Sequence, residues 1–66
     1  MDRLRAIETF LAVATLGSFA AAARHLRVSP AAATRAVASL EEHLGTALLT
    51  RSTRSLRLTD AGRLLL

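Results

Sequence analysis

The 66-residue sequence contains no cysteine, no lysine, no tryptophan and no tyrosine, and it has one proline, three glycines and two phenylalanines. Without cysteine there is no disulfide framework, thiolate nucleophile or Cys-ligated zinc site to reinforce a core that at this size is only just sufficient. Close helix packing must hold the chain together. Aromatic residues make up 3% of the sequence, too few for the stacking platforms that bind single-stranded nucleic acid. No apolar run approaches the roughly 18 residues needed to cross a bilayer. The start MDRLRAIE carries acidic residues where a secretory signal has its apolar stretch. A soluble, cytoplasmic chain with no membrane partner is expected, and its length leaves no room for a second full domain.

What the sequence does have is arginine. All nine of its basic residues are arginines, against five acidic residues, for a formal net charge of +4. Planar guanidinium groups bind phosphates and guanine edges in a bidentate way that lysine does not match, so the balance favours a polyanionic partner. With so few aromatics, that partner reads as double-stranded DNA.

Along the chain, Asp2 is placed to cap a first helix in which Leu4, Ile7, Leu11 and Ala14 recur at helical spacing, with Phe10 and Val13 widening the apolar face. Gly17 stops it and Ser18 caps a second helix, whose Phe19, Ala22, Ala23 and Leu26 share one face. Small side chains there suit two helices joined by a tight turn. Arg27-Val28-Ser29 forms that turn. Ser29 at the N-cap with Pro30 at the first helical position starts a third helix, and Val28 and Ala33 are spaced as a hydrophobic staple. Ala33, Val37, Leu40 and Leu44 then face the core, Ala31, Thr34, Arg35, Ala38 and Glu42 point outward, and Gly45 ends the helix.

Beyond Gly45 the period changes from helical to alternating. Leu49 and Arg51 lie on one face of a first strand, Leu56, Arg57 and Leu58 alternate in a second, and Ser52-Thr53-Arg54 reads as the hairpin loop. Thr59 caps a last helix with Asp60 in its first turn. That helix looks incomplete at Leu64-Leu65-Leu66, which points to a longer natural chain. The expected fold is therefore mainly α with a small β-hairpin: a winged helix-turn-helix with a three-helix core, a two-stranded wing over the end of residues 1–58, and the start of a linker helix in residues 59–66. In that plan the helix after the turn enters the major groove and the ribbon lies along the neighbouring backbone or minor groove.

Arg35 is central to the functional reading. Its neighbours one turn away are Ala31, Ala32, Ala38 and Ser39, so no intrahelical ion pair explains it, and an arginine held up by alanines reaches a guanine or phosphate unobstructed. Thr34 offers a hydroxyl to a phosphate or base and a methyl to thymine. Ser29 has two compatible roles, helix cap and phosphate ligand. Arg54 at the loop is expected on the backbone or minor groove. Arg51 and Arg57 stay open between DNA contact and a structural role, with Glu41 as an ion-pair partner for Arg51. Arg3, Arg5, Arg24, Arg27 and Arg63 add to the field.

The string Phe10, Val13, Gly17-Ser18-Phe19, Ala22-Ala23, Leu26, Ser29, Ala32, Thr34-Arg35, Leu40-Glu41, Leu44-Gly45, Leu48, Arg51, Arg54, Leu58-Thr59 and Ala61-Gly62 resembles the N-terminal DNA-binding domain of LysR-type transcriptional regulators, in order over nearly the whole chain. The resemblance implies a sequence-specific regulator that binds a partly palindromic operator. It also implies a homodimer built through the helix starting at Thr59, and a small-molecule effector bound by a C-terminal domain outside this chain. It implies major-groove contacts from Pro30, Ala31, Thr34 and Arg35 and a wing contact from Thr53 and Arg54. The family often has Gln-Pro where Pro30-Ala31 stands and Phe where Leu49 stands. The missing glutamine amide bears on the target sequence more than on the fold.

No enzyme is expected. His25 and His43 have no Cys or Asp nearby to complete a metal site, Glu41 and Glu42 fall on different helix faces, and no nucleophile elbow or glycine-rich phosphate loop is present. No cofactor is expected either. Two other classes compete: a protein-interaction module using the alanine face of the third helix, and an interfacial membrane binder. DNA binding weakens steeply with salt, whereas alanine packing hardly responds. The arginines are spread over helix and ribbon rather than lining one continuous helix, which disfavours the membrane reading.

Overall fold

The computed structural model describes residues 3–51 and 56–66, with Arg51 described through its backbone. Its elements are α1 (Arg3–Leu16), α2 (Phe19–Leu26), α3 (Pro30–Leu44), β1 (Leu49–Arg51), β2 (Leu56–Leu58) and α4 (Asp60–Leu65). The expected cap at Asp2 and the hairpin loop Ser52-Thr53-Arg54 lie outside the described residues.

Short-range signals set the boundaries. Gly17 N–H closes α1 on Val13 O at 2.8 Å. Ser18 Oγ accepts from Ala21 N–H and Ser29 Oγ from Ala32 N–H, both at 3.1 Å, each satisfying a donor that a helix start leaves open. The turn between α2 and α3 places Arg27 in the left-handed region at φ 60°, where a β-carbon costs about 1–2 kcal/mol. Val28 N–H then bonds back to Ala23 O at 2.9 Å, so the chain reverses within three residues.

The three helices pack on one another around Phe10 and Val13, which are fully buried, with Ala6, Ala22, Val37, Leu40, Leu48 and Leu49 completing the cluster. Ala23, Ala33 and Ala36 are buried as well. Methyl-sized contacts let the helix backbones approach closely. Two expected core residues lie elsewhere. Leu4 is 63% exposed because the buried face of α1 runs through Ala6, Thr9, Phe10 and Val13, rotated away from the Leu4, Ile7, Leu11 stripe. Ile7 and Leu11 flank the core, half-buried. Leu44 is 46% exposed because it is the last residue of α3, at the end of the packed face. Thr9 is buried in place of an apolar residue, and its hydroxyl donates to Arg5 O at 2.7 Å.

After α3, Gly45 takes φ 71° and Thr46 N–H reaches back to Glu41 O at 3.2 Å. The Glu41 carboxylate then accepts from Leu48 N–H at 2.8 Å and Leu49 N–H at 3.2 Å. Glu41, expected in an ion pair, thus caps the entry to β1, and a pairing with the Arg51 side chain lies outside the described residues. β1 and β2 are antiparallel, with Leu49 opposite Leu58, Thr50 opposite Arg57 and Arg51 opposite Leu56. Leu49 is buried while Thr50 and Arg57 are exposed, the alternation that one covered face requires.

Thr59 locks α4 onto this region. Its N–H donates to Leu48 O at 3.0 Å and its hydroxyl to Ala47 O at 2.6 Å, while Oγ1 accepts from Gly62 N–H at 3.0 Å. Gly62 lies so close that a β-carbon there would collide with the Leu48 carbonyl oxygen and come within 3.1 Å of Leu58 Cδ2. Asp60 and Arg63 form an exposed pair at 3.5 Å.

Two stability predictions follow from the Leu48 region. Glu41→Ala leaves two part-buried N–H groups without their acceptor and should lower unfolding free energy by about 1–3 kcal/mol, read as the shift of the urea midpoint. Gly62→Ala would ordinarily stabilise a helix by about 0.5–1 kcal/mol. Here the backbone collision should reverse the sign and cost about 1–3 kcal/mol. A midpoint that rises in the Gly62 variant would contradict this packing.

Candidate nucleic-acid interface

Residues of α3 succeed one another by 100°. With Ala33, Ala36, Val37 and Leu40 buried, Ala31, Arg35, Ala38 and Glu42 are exposed, with Thr34 half-buried at the flank. This is the outward face expected from the sequence. Glu41, on the same flank as Thr34, reaches the start of β1. The hairpin therefore joins the body on the Thr34 side of α3, and Arg35 lies toward the other flank.

At the start of α3, Pro30 has no N–H, Ala32 N–H is taken by Ser29 Oγ, and Ala33 N–H by Ser29 O at 3.1 Å. Ser29 and Pro30 are both exposed. The cap role of Ser29 is thus realised, and its hydroxyl remains at the surface beside the positive end of a 15-residue helix, where an anion is favoured. Arg35 is exposed and forms no ion pair among the described residues. The exposed alanines on either side keep the backbone of α3 near any surface it approaches.

Thr34 also bonds within its own helix. Its hydroxyl donates to Pro30 O at 3.0 Å, so the proton assigned to a phosphate or base is already used within the helix. The signal was present in the residue type, because serine and threonine inside helices commonly bond back to the carbonyl four residues earlier. Sequence reasoning also missed the part Glu41 plays in seating the hairpin.

In the hairpin, Arg57 is exposed on the outer pleat face opposite Thr50, and the backbone of Arg51 pairs with Leu56. Thr53 and Arg54 lie outside the described residues. Arg3, Arg5, Arg24, Arg27 and Arg63 are all exposed. His25 and His43 are exposed too, and no group of three metal-ligating side chains occurs among the described residues. No helix among them is long and apolar enough to cross a membrane.

Two helices joined by a three-residue turn, braced by a third helix and followed by an antiparallel ribbon, define a winged helix-turn-helix domain. Residues 4–63 match the family described as bacterial regulatory helix-turn-helix protein, lysR family, and the chain belongs to that family.

Its relatives include the HTH-type transcriptional activator AaeR of Escherichia coli K12, 47% identical over 64 residues. An HTH-type transcriptional repressor of Pseudomonas aeruginosa is 47% identical over 62 residues. The chain is 97% covered by the first match and spans 21% of that relative's length. Among solved structures, the DNA-binding domain of CbnR in complex with DNA matches with a TM-score of 0.88 and 45% identity, covering 97% of this chain and 72% of that one. The corresponding domain of BenM with catB site 1 DNA matches at 0.90 and 35% identity, covering 98% and 71%.

Proposed function

We propose that this chain is the module with which a LysR-type transcriptional regulator binds a specific sequence of double-stranded DNA. The observation that carries the reading is the outward face of α3, where Arg35, without an ion pair among the described residues, stands between exposed alanines just over one turn into the helix. The DNA complexes among its structural neighbours support it. In this reading α3 enters the major groove and the hairpin follows the adjacent backbone or minor groove.

The contacts fall into two groups. Pro30, Ala31, Thr34 and Arg35 meet base edges, and Arg35 is the one long donor among them, suited to guanine O6 and N7. Ser29 from the helix cap, with Arg51, Thr53 and Arg54 from the hairpin, meets phosphates or the minor groove. Residues 1–58 form the binding domain, and residues 59–66 begin a helix that extends into a homodimer contact. A dimer presents two such surfaces to a partly palindromic operator. The small-molecule effector belongs to a further domain of the regulator. The role is recognition without catalysis, carried out in the bacterial cytoplasm.

The test is fluorescence anisotropy with duplexes enriched from a randomised pool, against a scrambled control, at two salt concentrations. Arg35→Ala should cost about 1–3 kcal/mol and relax preference at one base position while keeping salt-sensitive background binding. Equal affinity of wild type and variant for every duplex would refute the role of Arg35. The hairpin arginines act through the field, so the double variant Arg51→Ala, Arg54→Ala should reduce the slope of log K against log[salt] by about 2 without changing the preferred sequence.

A further inference from the structure

Among the described residues, three hold the backbone in the left-handed region, and two of them are Gly17 and Gly45. The third is Arg27, in the turn between α2 and α3. The bonds that close this turn come from the backbone: Arg27 N–H donates to Arg24 O at 3.3 Å and Val28 N–H to Ala23 O at 2.9 Å. Glycine or asparagine would make both bonds and adopt the conformation at lower cost. Arg27 is exposed, and its guanidinium has no ion pair or hydrogen bond among the described residues. The helix ends do not call for it either. Arg24 and His25 already stand in the last turn of α2, where a cation is favoured, and the start of α3 just beyond disfavours one.

The neighbours of Arg27 set its direction. Leu26 and Val28 are half-buried and line a crevice against Glu8 and Thr9 of α1. Arg27 between them is left on the side away from α1, beside the exposed Ser29 and Pro30 that open α3. From this arrangement we infer that Arg27 is a phosphate anchor, kept in a strained turn because its guanidinium binds one backbone phosphate of the duplex. The contact is a short-range, charge-assisted pair of N–H to phosphate oxygen bonds, which the flat guanidinium forms in a bidentate way. It is thus distinct from the general field of the exposed arginines. Such a bond carries no sequence information; it fixes where the first turn of α3 sits on the duplex. Stability given up in the backbone at Arg27 is matched by affinity gained in the complex.

The inference rests on the proposed duplex binding, and its test separates the two. A duplex enriched from the pool and a scrambled control are titrated with the 66-residue chain over a range of salt concentrations, and stability is read from the urea midpoint. Arg27→Gly and Arg27→Asn should keep the wild-type midpoint or raise it. Both should bind the two duplexes about tenfold more weakly, with the slope of log K against log[salt] reduced by about 1 and the preferred sequence unchanged. Arg27→Lys should restore the slope. Replacing one phosphate at a time by a neutral methylphosphonate then locates the contact. At one phosphate per half-site the wild type should lose about tenfold and Arg27→Asn nothing. A lower midpoint with an unchanged salt slope assigns Arg27 to the turn and overturns the inference. An Arg27→Asn variant that loses as much as wild type at every methylphosphonate also overturns it, leaving the general field and duplex binding intact. Failure of the wild type to bind either duplex at low salt overturns both readings.

Discussion

The peptide group of Leu48 is the point on which the arrangement of helix and wing depends. Its N–H is held by the Glu41 carboxylate, its carbonyl accepts from Thr59 N–H, its side chain is 1% exposed, and Gly62 backs against it. Four segments thereby meet at one residue: the end of α3, both edges of the hairpin and the first turn of α4. A chain this small has little apolar surface to spend on each junction, so a charge-assisted bond to backbone N–H groups does what a larger domain does with side-chain volume. The carboxylate also offsets the break in backbone pairing that Gly45 introduces as it turns the chain out of α3.

Much of the fold was legible because its signals are local. Ser18, Ser29 and Thr59 cap their helices as their types require, Gly17 and Gly45 stop theirs, and the change of period after Gly45 marks the hairpin. The errors have a common cause in alanine. With so many methyl side chains, Leu4 and Leu11 dominated the apparent period of α1, although Ala6, Thr9, Phe10 and Val13 form its buried face. Ala36 was missed for the same reason. Arg27 in a left-handed conformation escaped notice because turns of that kind usually announce themselves with glycine or asparagine.

The interface divides along the same line. Arg35 stood out because its helical neighbours are all visible in the sequence and none is acidic. The bonds of Glu41 to Leu48 and Leu49 span seven and eight residues and arise only once α3 and the hairpin meet. The close approach of Gly62 to Leu48 is likewise a property of two elements together. Thr34 lies between these cases: its bond is local, yet choosing between an inward and an outward hydroxyl needs the geometry of the helix start.

Because Glu41 belongs to α3 and the N–H groups that donate to its carboxylate belong to the entry of β1, the helix and the ribbon are tied by a short covalent and hydrogen-bonded loop. Their relative orientation is thus settled when the chain folds. A long polyanion meeting this surface finds both arms already at fixed spacing, and the encounter need not freeze an interdomain hinge. The remaining entropic cost falls on side chains and counterions. Tuning of affinity between related chains is then expected in the rate of dissociation more than in the rate at which the complex forms.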